Sequence, residues 1–152
     1  MRENLTNALK EALKAKNQVA LSTMRLIAAA LKDRDIAARG NANTDGVTDE
    51  EILGMLQTMI KQRTESARMY RDGDRLDLAS KEEAEIAIIK NFLPVQLSQD
   101  EMKQAIATAI SETGAGSIKD MGQVMGYLKA QYAGQMDFSS ASQDVKAALL
   151  AK

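Results

Sequence analysis

Apolar residues recur every three or four positions along nearly the whole chain, the signature of amphipathic helices that turn one face to a core. Leu5, Leu9, Ala12 and Leu13 make a short first stripe; Leu21, Met24, Ala28 and Leu31 make a longer second one. Asn17 stands where an N-cap belongs, so the second helix is predicted from there to about Ala38, and Gly40 through Gly46 reads as a mobile loop. Thr48-Asp-Glu-Glu51 has the form of a capping box and opens a third helix, whose stripe is Ile52, Leu56, Met59, Arg63, Ala67 and Tyr70. Beyond Gly73 the spacing resumes with Leu78, Glu82, Glu85, Ile89 and Phe92, which predicts a helical hairpin with Gly73 at its tip.

Pro94, the one proline, closes this series. It cannot donate a backbone hydrogen bond and it pushes Leu93 out of helical geometry. Ser98-Gln-Asp-Glu101 then announces a new helix by the capping-box pattern. Past it the stripes shorten: Met102, Ile106, Ala109, Ile110 and Thr113; Met121, Val124, Met125 and Leu128; Phe138, Ala141, Val145, Ala148 and Leu149. Between them lie Gly114-Ala-Gly116-Ser117 and Ala133-Gly134-Gln-Met-Asp137, each a glycine stop followed by an N-cap, Ser117 or Asp137. The expected class is all-α, with an N-terminal four-helix portion over 1–93 that contains the long hairpin, and a small three-helix bundle over 94–152.

Composition agrees with helices. Ala, Leu, Ile and Met supply most of the 45% apolar content while aromatics reach 3%, a palette for close helix packing rather than sheets. Twenty basic and 21 acidic residues nearly cancel, so no global field draws in DNA or an anionic membrane, and neither is expected as a partner. There is no cysteine and no histidine, which removes the commonest metal ligands; no metal and no cofactor is expected. The first residues are polar, and the longest apolar run, Leu26 to Leu31, is far too short to span a bilayer. A cytoplasmic location is the expectation.

Several positions stand out from the helical background. Arg63 interrupts the third stripe, and Glu82 and Glu85 the fourth, at similar heights above Gly73. They read either as a carboxylate pair for acid/base or metal work or as an interhelical ion pair that fixes register. Missing histidine favours the ion pair, because carboxylate metal sites in bundles recruit a Glu-x-x-His partner. Arg68, Arg71 and Arg75 gather near the hairpin tip, but Asp72, Asp74 and Asp77 are interleaved with them, which favours a mixed-charge tip over a phosphate patch. Gly114, Gly116 and Ser117 followed by Lys119 have the parts of an anion cradle, although an ordinary turn between helices is favoured. Gly122 and Gly126, four apart on one helix, imply close approach of another backbone, with a neighbouring helix favoured over RNA. Ser139-Ser140 fits the start of the last helix better than a nucleophile, since no activating base can be read beside it.

Together these segments form a recognisable series. Met59-Ile-Lys-Gln-Arg63-Thr-Glu-Ser66, Tyr70-Arg-Asp-Gly73, Asp77-Leu78 with Lys81-Glu-Glu-Ala-Glu85, Phe92-Leu-Pro-Val-Gln-Leu-Ser98, and Lys119-Asp-Met-Gly-Gln-Val-Met-Gly126 resemble the GatB/YqeY family, in order and over essentially the whole chain. The match is closest to the small stand-alone YqeY-like proteins, whose second half resembles the C-terminal tail of GatB. GatB is a subunit of the glutamine-dependent enzyme that amidates mischarged tRNA, and its tail helps to hold the tRNA away from the chemistry. The family therefore carries the label of a carbon-nitrogen ligase with glutamine as amido donor.

The resemblance implies a non-catalytic accessory or tRNA-binding module, because the catalytic core of GatB and its partner amidase have no counterpart here. No catalytic residue is assigned. The RNA-contact candidates are Gly114, Gly116, Ser117 and Lys119, with Lys129 added, since backbone N–H groups and lysines suit phosphates. Val95 to Lys152 holds five basic and six acidic residues without aromatic interleaving, so any tRNA contact is expected to be weak, salt-sensitive and directed at shape. Two alternatives stand beside it: a helical adaptor whose protein partner sits on the hairpin or the glycine-bearing helix, and an amidotransferase component active only inside a complex.

Overall fold

The computed structural model describes residues 1–152, and every regular element in it is helical. Before Pro94 come α1 (Arg2–Ala15), α2 (Gln18–Gly40), α3 (Asp49–Asp72) and α4 (Leu76–Lys90). After it come α5 (Gln99–Thr113), a 3-10 turn over Ile118–Asp120, α6 (Met121–Gln131) and α7 (Phe138–Leu150). Contacts divide the chain into two compact units, Met1–Leu93 and Pro94–Lys152.

In the first unit α3 and α4 form the hairpin, and α2 lies against α1, α3 and α4. Leu5, Met24, Ile27, Ile52, Met55, Leu56, Met59 and Ile89 make the core, with Phe92 and Leu93 packed on it. The unbranched methionines fill the irregular gaps that branched side chains leave where four helices meet. Two of the sequence's start signals work as read. Asn17 accepts from the Ala20 N–H at 3.1 Å, and the Thr48 hydroxyl accepts from Glu51 N–H at 3.2 Å while the Glu51 carboxylate takes the Thr48 N–H at 2.6 Å.

In the first unit the left-handed stops are not made by glycine. α1, α2 and α3 are each followed by a non-glycine residue in the left-handed region: Lys16 at φ 54, Ala42 at φ 64 and Asp74 at φ 59. In each the next N–H reaches back five residues, from Asn17 to Ala12 O, Asn43 to Ala38 O and Arg75 to Tyr70 O, which closes the helix end in a Schellman motif. Gly73 caps α3 at the hairpin tip as expected, but at φ −88, and Asp74 takes the left-handed conformation. A short polar side chain tolerates that conformation better than most.

The far end of the segment after α2 is fastened to α1 and α2. Asp35 receives both terminal guanidinium nitrogens of Arg2 at 2.7 Å and the Val47 N–H at 3.0 Å, and Arg2 also donates to Val47 O at 2.9 Å. Gly46, at φ +84, passes so close that a Cβ there would stand 2.7 Å from an Asp35 oxygen. The Arg2 guanidinium first, then the Val47 N–H, hold the Asp35 carboxyl well below the usual carboxylate range. Val47, the residue after the Gly40–Gly46 loop, is thus tied to α1 and α2. Composition marks a loop but says nothing of a pair 33 residues apart.

The second unit is a three-helix bundle of α5, α6 and α7 around Ile106, Ile110, Val124, Leu128, Val145 and Leu149. Ala105, Ala109 and Ala141 share this core, and their small side chains let the helices approach closely. Leu97 packs on the same core, and its N–H bonds Gln135 O at 2.9 Å; beside it the Gln96 amide donates to Gly134 O at 2.6 Å. These bonds staple the chain after Pro94 to the α6–α7 connector. Ser98 and Glu101 form the predicted box, and Asp137 caps α7 by accepting from Ser139 N–H at 3.1 Å, so Ser139 and Ser140 do begin that helix.

Candidate nucleic-acid interface

α5 ends at Gly114, whose φ of +66 lets its N–H reach Ser111 O at 3.2 Å while the Ala115 N–H reaches Ile110 O at 3.1 Å. The next two N–H groups, those of Gly116 and Ser117, both point at one oxygen of Asp120, at 2.9 and 3.2 Å. The anion in this cradle is thus the chain's own carboxylate. Gly114, Gly116 and Ser117 do not present the free N–H groups their composition suggests, because a carboxylate three or four residues ahead reaches back as in a capping box. Ser117-x-x-Asp120 carries that signal in the sequence. Ser117 also precedes the 3-10 turn and not α6 itself, which starts at Met121.

Beside the turn lies an open strip. Lys119, Gly122, Gly126 and Lys129 follow one another at spacings of three, four and three, and all four are exposed. Apart from the adjoining residues and the helix's own backbone, no heavy atom stands within 4 Å of where a Cβ would be on Gly122 or Gly126. The close approach of a neighbouring helix expected there does not exist: Val124 and Leu128 turn the opposite side of α6 into the core and leave the glycines outward. The two lysines bracket a stretch of helix whose backbone is bare.

In the first unit Arg63 donates from Nε to Glu85 at 2.9 Å and from Nη1 to Met59 O at 3.2 Å. Their side chains are 13% and 9% exposed, so this is an ion pair largely withdrawn from water between α3 and α4. Glu82 is half-buried and Arg63 takes Glu85 in its place. At the hairpin tip Arg68 pairs with Glu65 and Asp72, Arg71 with Glu83, and Arg75 with Asp77. Each arginine there already has a carboxylate, which leaves a solvated mixed-charge surface.

A family model described as Yqey-like protein matches residues 2–149. The chain belongs to the YqeY-like family. Relatives of this YqeY-like chain include proteins named "Altered inheritance of mitochondria protein 41, mitochondrial". The one from Clavispora lusitaniae is 36% identical over 70% of this chain and 61% of its own length. That from Lachancea thermotolerans is 30% identical over 72% and 57%, and that from Meyerozyma guilliermondii 30% over 88% and 70%. The chain thus spans about three fifths of the length of the first two. Their names are mitochondrial, which overturns the cytoplasmic expectation: that expectation rested on a polar N-terminus and absent cysteines, neither of which reports a compartment.

Proposed function

We propose that this chain is a non-catalytic accessory module that holds tRNA through its second unit, in the manner of the amidotransferase tail it resembles. The observation that carries the proposal is the strip formed by Lys119, Gly122, Gly126 and Lys129. A helix bare of side chains lets a sugar-phosphate backbone come close, and a lysine at each end supplies charge without reading bases. Because Asp120 fills the Gly116–Ser117 cradle, the contact falls to the lysines and the bare helix. With acidic residues slightly outnumbering basic ones in this unit, recognition is of shape and is weak. The mitochondrial names of the relatives supply an organellar setting for the proposal.

Titration of the purified protein against total tRNA at 50 and 200 mM salt tests this. Binding should weaken at the higher salt, and Lys119→Ala and Lys129→Ala should each lower the dependence on log salt by about one contact. Gly122→Ala and Gly126→Ala separate binding from stability: each should stabilise α6 by about 0.5–1 kcal/mol, since room for the methyl exists, yet reduce tRNA affinity. Absence of binding at low salt, or unchanged affinity in the folded lysine variants, defeats the proposal.

A further inference from the structure

Between α1 and α2 runs a half-open channel of about 510 Å³ whose floor includes Leu5, Leu9, Leu31 and Ile36, with Lys32 and Arg39 on the α2 rim. On α2 its lining extends from Met24 to Arg39, roughly 22 Å at the rise of an α-helix, or four turns. Ile36 is 54% exposed although it lines this channel. The charged lining is net cationic, with Arg2, Lys32 and Arg39 against the single carboxylate of Asp35. Arg2 is bonded to Asp35 within that lining, whereas Lys32 and Arg39 make no direct salt bridge, Arg39 acting on Asp35 only through its charge. Asp35, the nearest acid on the same side of α2, has its oxygens taken by Arg2 and Val47.

We infer that this channel docks an acidic amphipathic helix of a partner protein. An elongated apolar floor takes side chains spaced at i, i+3/i+4 and i+7, and the exposed cations Lys32 and Arg39 along one rim complement carboxylates beside that apolar face. A nucleic acid fits it less well, because most of the lining is aliphatic and no aromatic ring is there for a base to stack on. This surface lies in the first unit, so its test is independent of the tRNA proposal.

The probe is a fluorescein-labelled synthetic 16-residue helix with leucines at that spacing and glutamates flanking them, read by anisotropy against the full chain. A peptide of the same composition in scrambled order is the control. Saturable binding that is at least about tenfold tighter than the scrambled peptide is expected. Ile36→Glu should abolish it, and Lys32→Glu or Arg39→Glu should each weaken it about tenfold at low salt. Arg34→Glu makes the same charge change two residues from Lys32, about 200° round the helix, and should leave affinity within about twofold. Thermal melts of every variant separate lost binding from lost fold, with Ile36→Ser read in place of Ile36→Glu if the latter melts early. No binding of the designed peptide, equal binding of the scrambled one, or an Arg34→Glu loss matching that of Lys32→Glu overturns the inference. So does displacement of the peptide by phosphatidylserine vesicles or total tRNA when their own binding is lost in Ile36→Glu, which would reassign the groove to lipid or RNA.

Discussion

Arg63 and Glu85 show how charge behaves when it is largely withdrawn from water. Each satisfies the other, and the guanidinium adds a bond to Met59 O, so neither is left unpaired. Glu85→Ala strands the guanidinium and should cost about 3–5 kcal/mol in urea unfolding, while Arg63→Met with Glu85→Leu should recover most or all of that loss. A double variant as unstable as the single one would show that the pair stabilises more than a packed apolar contact does. That a charge would bridge the hairpin was legible, because Arg63 breaks an apolar stripe opposite two acids. Which acid it meets was not, since Glu82 and Glu85 lie within one turn and pattern carries no side-chain direction. Asp35 gives a second test. Its folded pKa lies below the unfolded value of about 3.9, so the unfolded chain binds the proton more readily and stability rises with pH. The contribution is complete above about pH 5 and drains away as pH falls below about 4. The urea midpoint measured from pH 6 to pH 2.5 should therefore fall less steeply in Asp35→Asn than in the parent.

Helix starts written as capping boxes were legible and the left-handed stops of the first three helices were not, for a physical reason. A start is written in the side chains that bond it: Thr48 with Glu51, and Ser98 with Glu101, are reciprocal pairs visible in the letters. A stop is a backbone conformation that glycine favours without monopolising, and Lys16, Ala42 and Asp74 adopt it against preference. Left-handed backbone costs about 1–2 kcal/mol for a residue with a Cβ. Ala42→Gly should thus raise stability by about 1 kcal/mol, and Gly114→Ala should lower it by at least as much; calorimetric melting temperatures moving in opposite directions would bear this out. The cradle after α5 belongs to the same lesson. Its glycines suggested a site for an external phosphate, but Asp120, four residues beyond Gly116, fills it from within.

At the scale of the molecule, fold class and helix count followed from periodicity because each helix repeats its apolar positions over several turns. The exposed side of α6 did not, because two glycines four apart look alike whether another backbone lies against them or open water does. The clamp of Arg2 on Asp35 and Val47 was equally hidden, being a contact between distant segments. The short connection after α4 carries a different kind of consequence. Phe92 and Leu93 are anchored on one core and Leu97 on the other, yet Val95 between them is 88% exposed. An elastase, whose small specificity pocket takes valine, should nick the native chain first after Val95. Gln96→Ala, which releases the bond to Gly134 O, should hasten that cut, and mass spectrometry of the first fragments would find Val95 at the new carboxyl end.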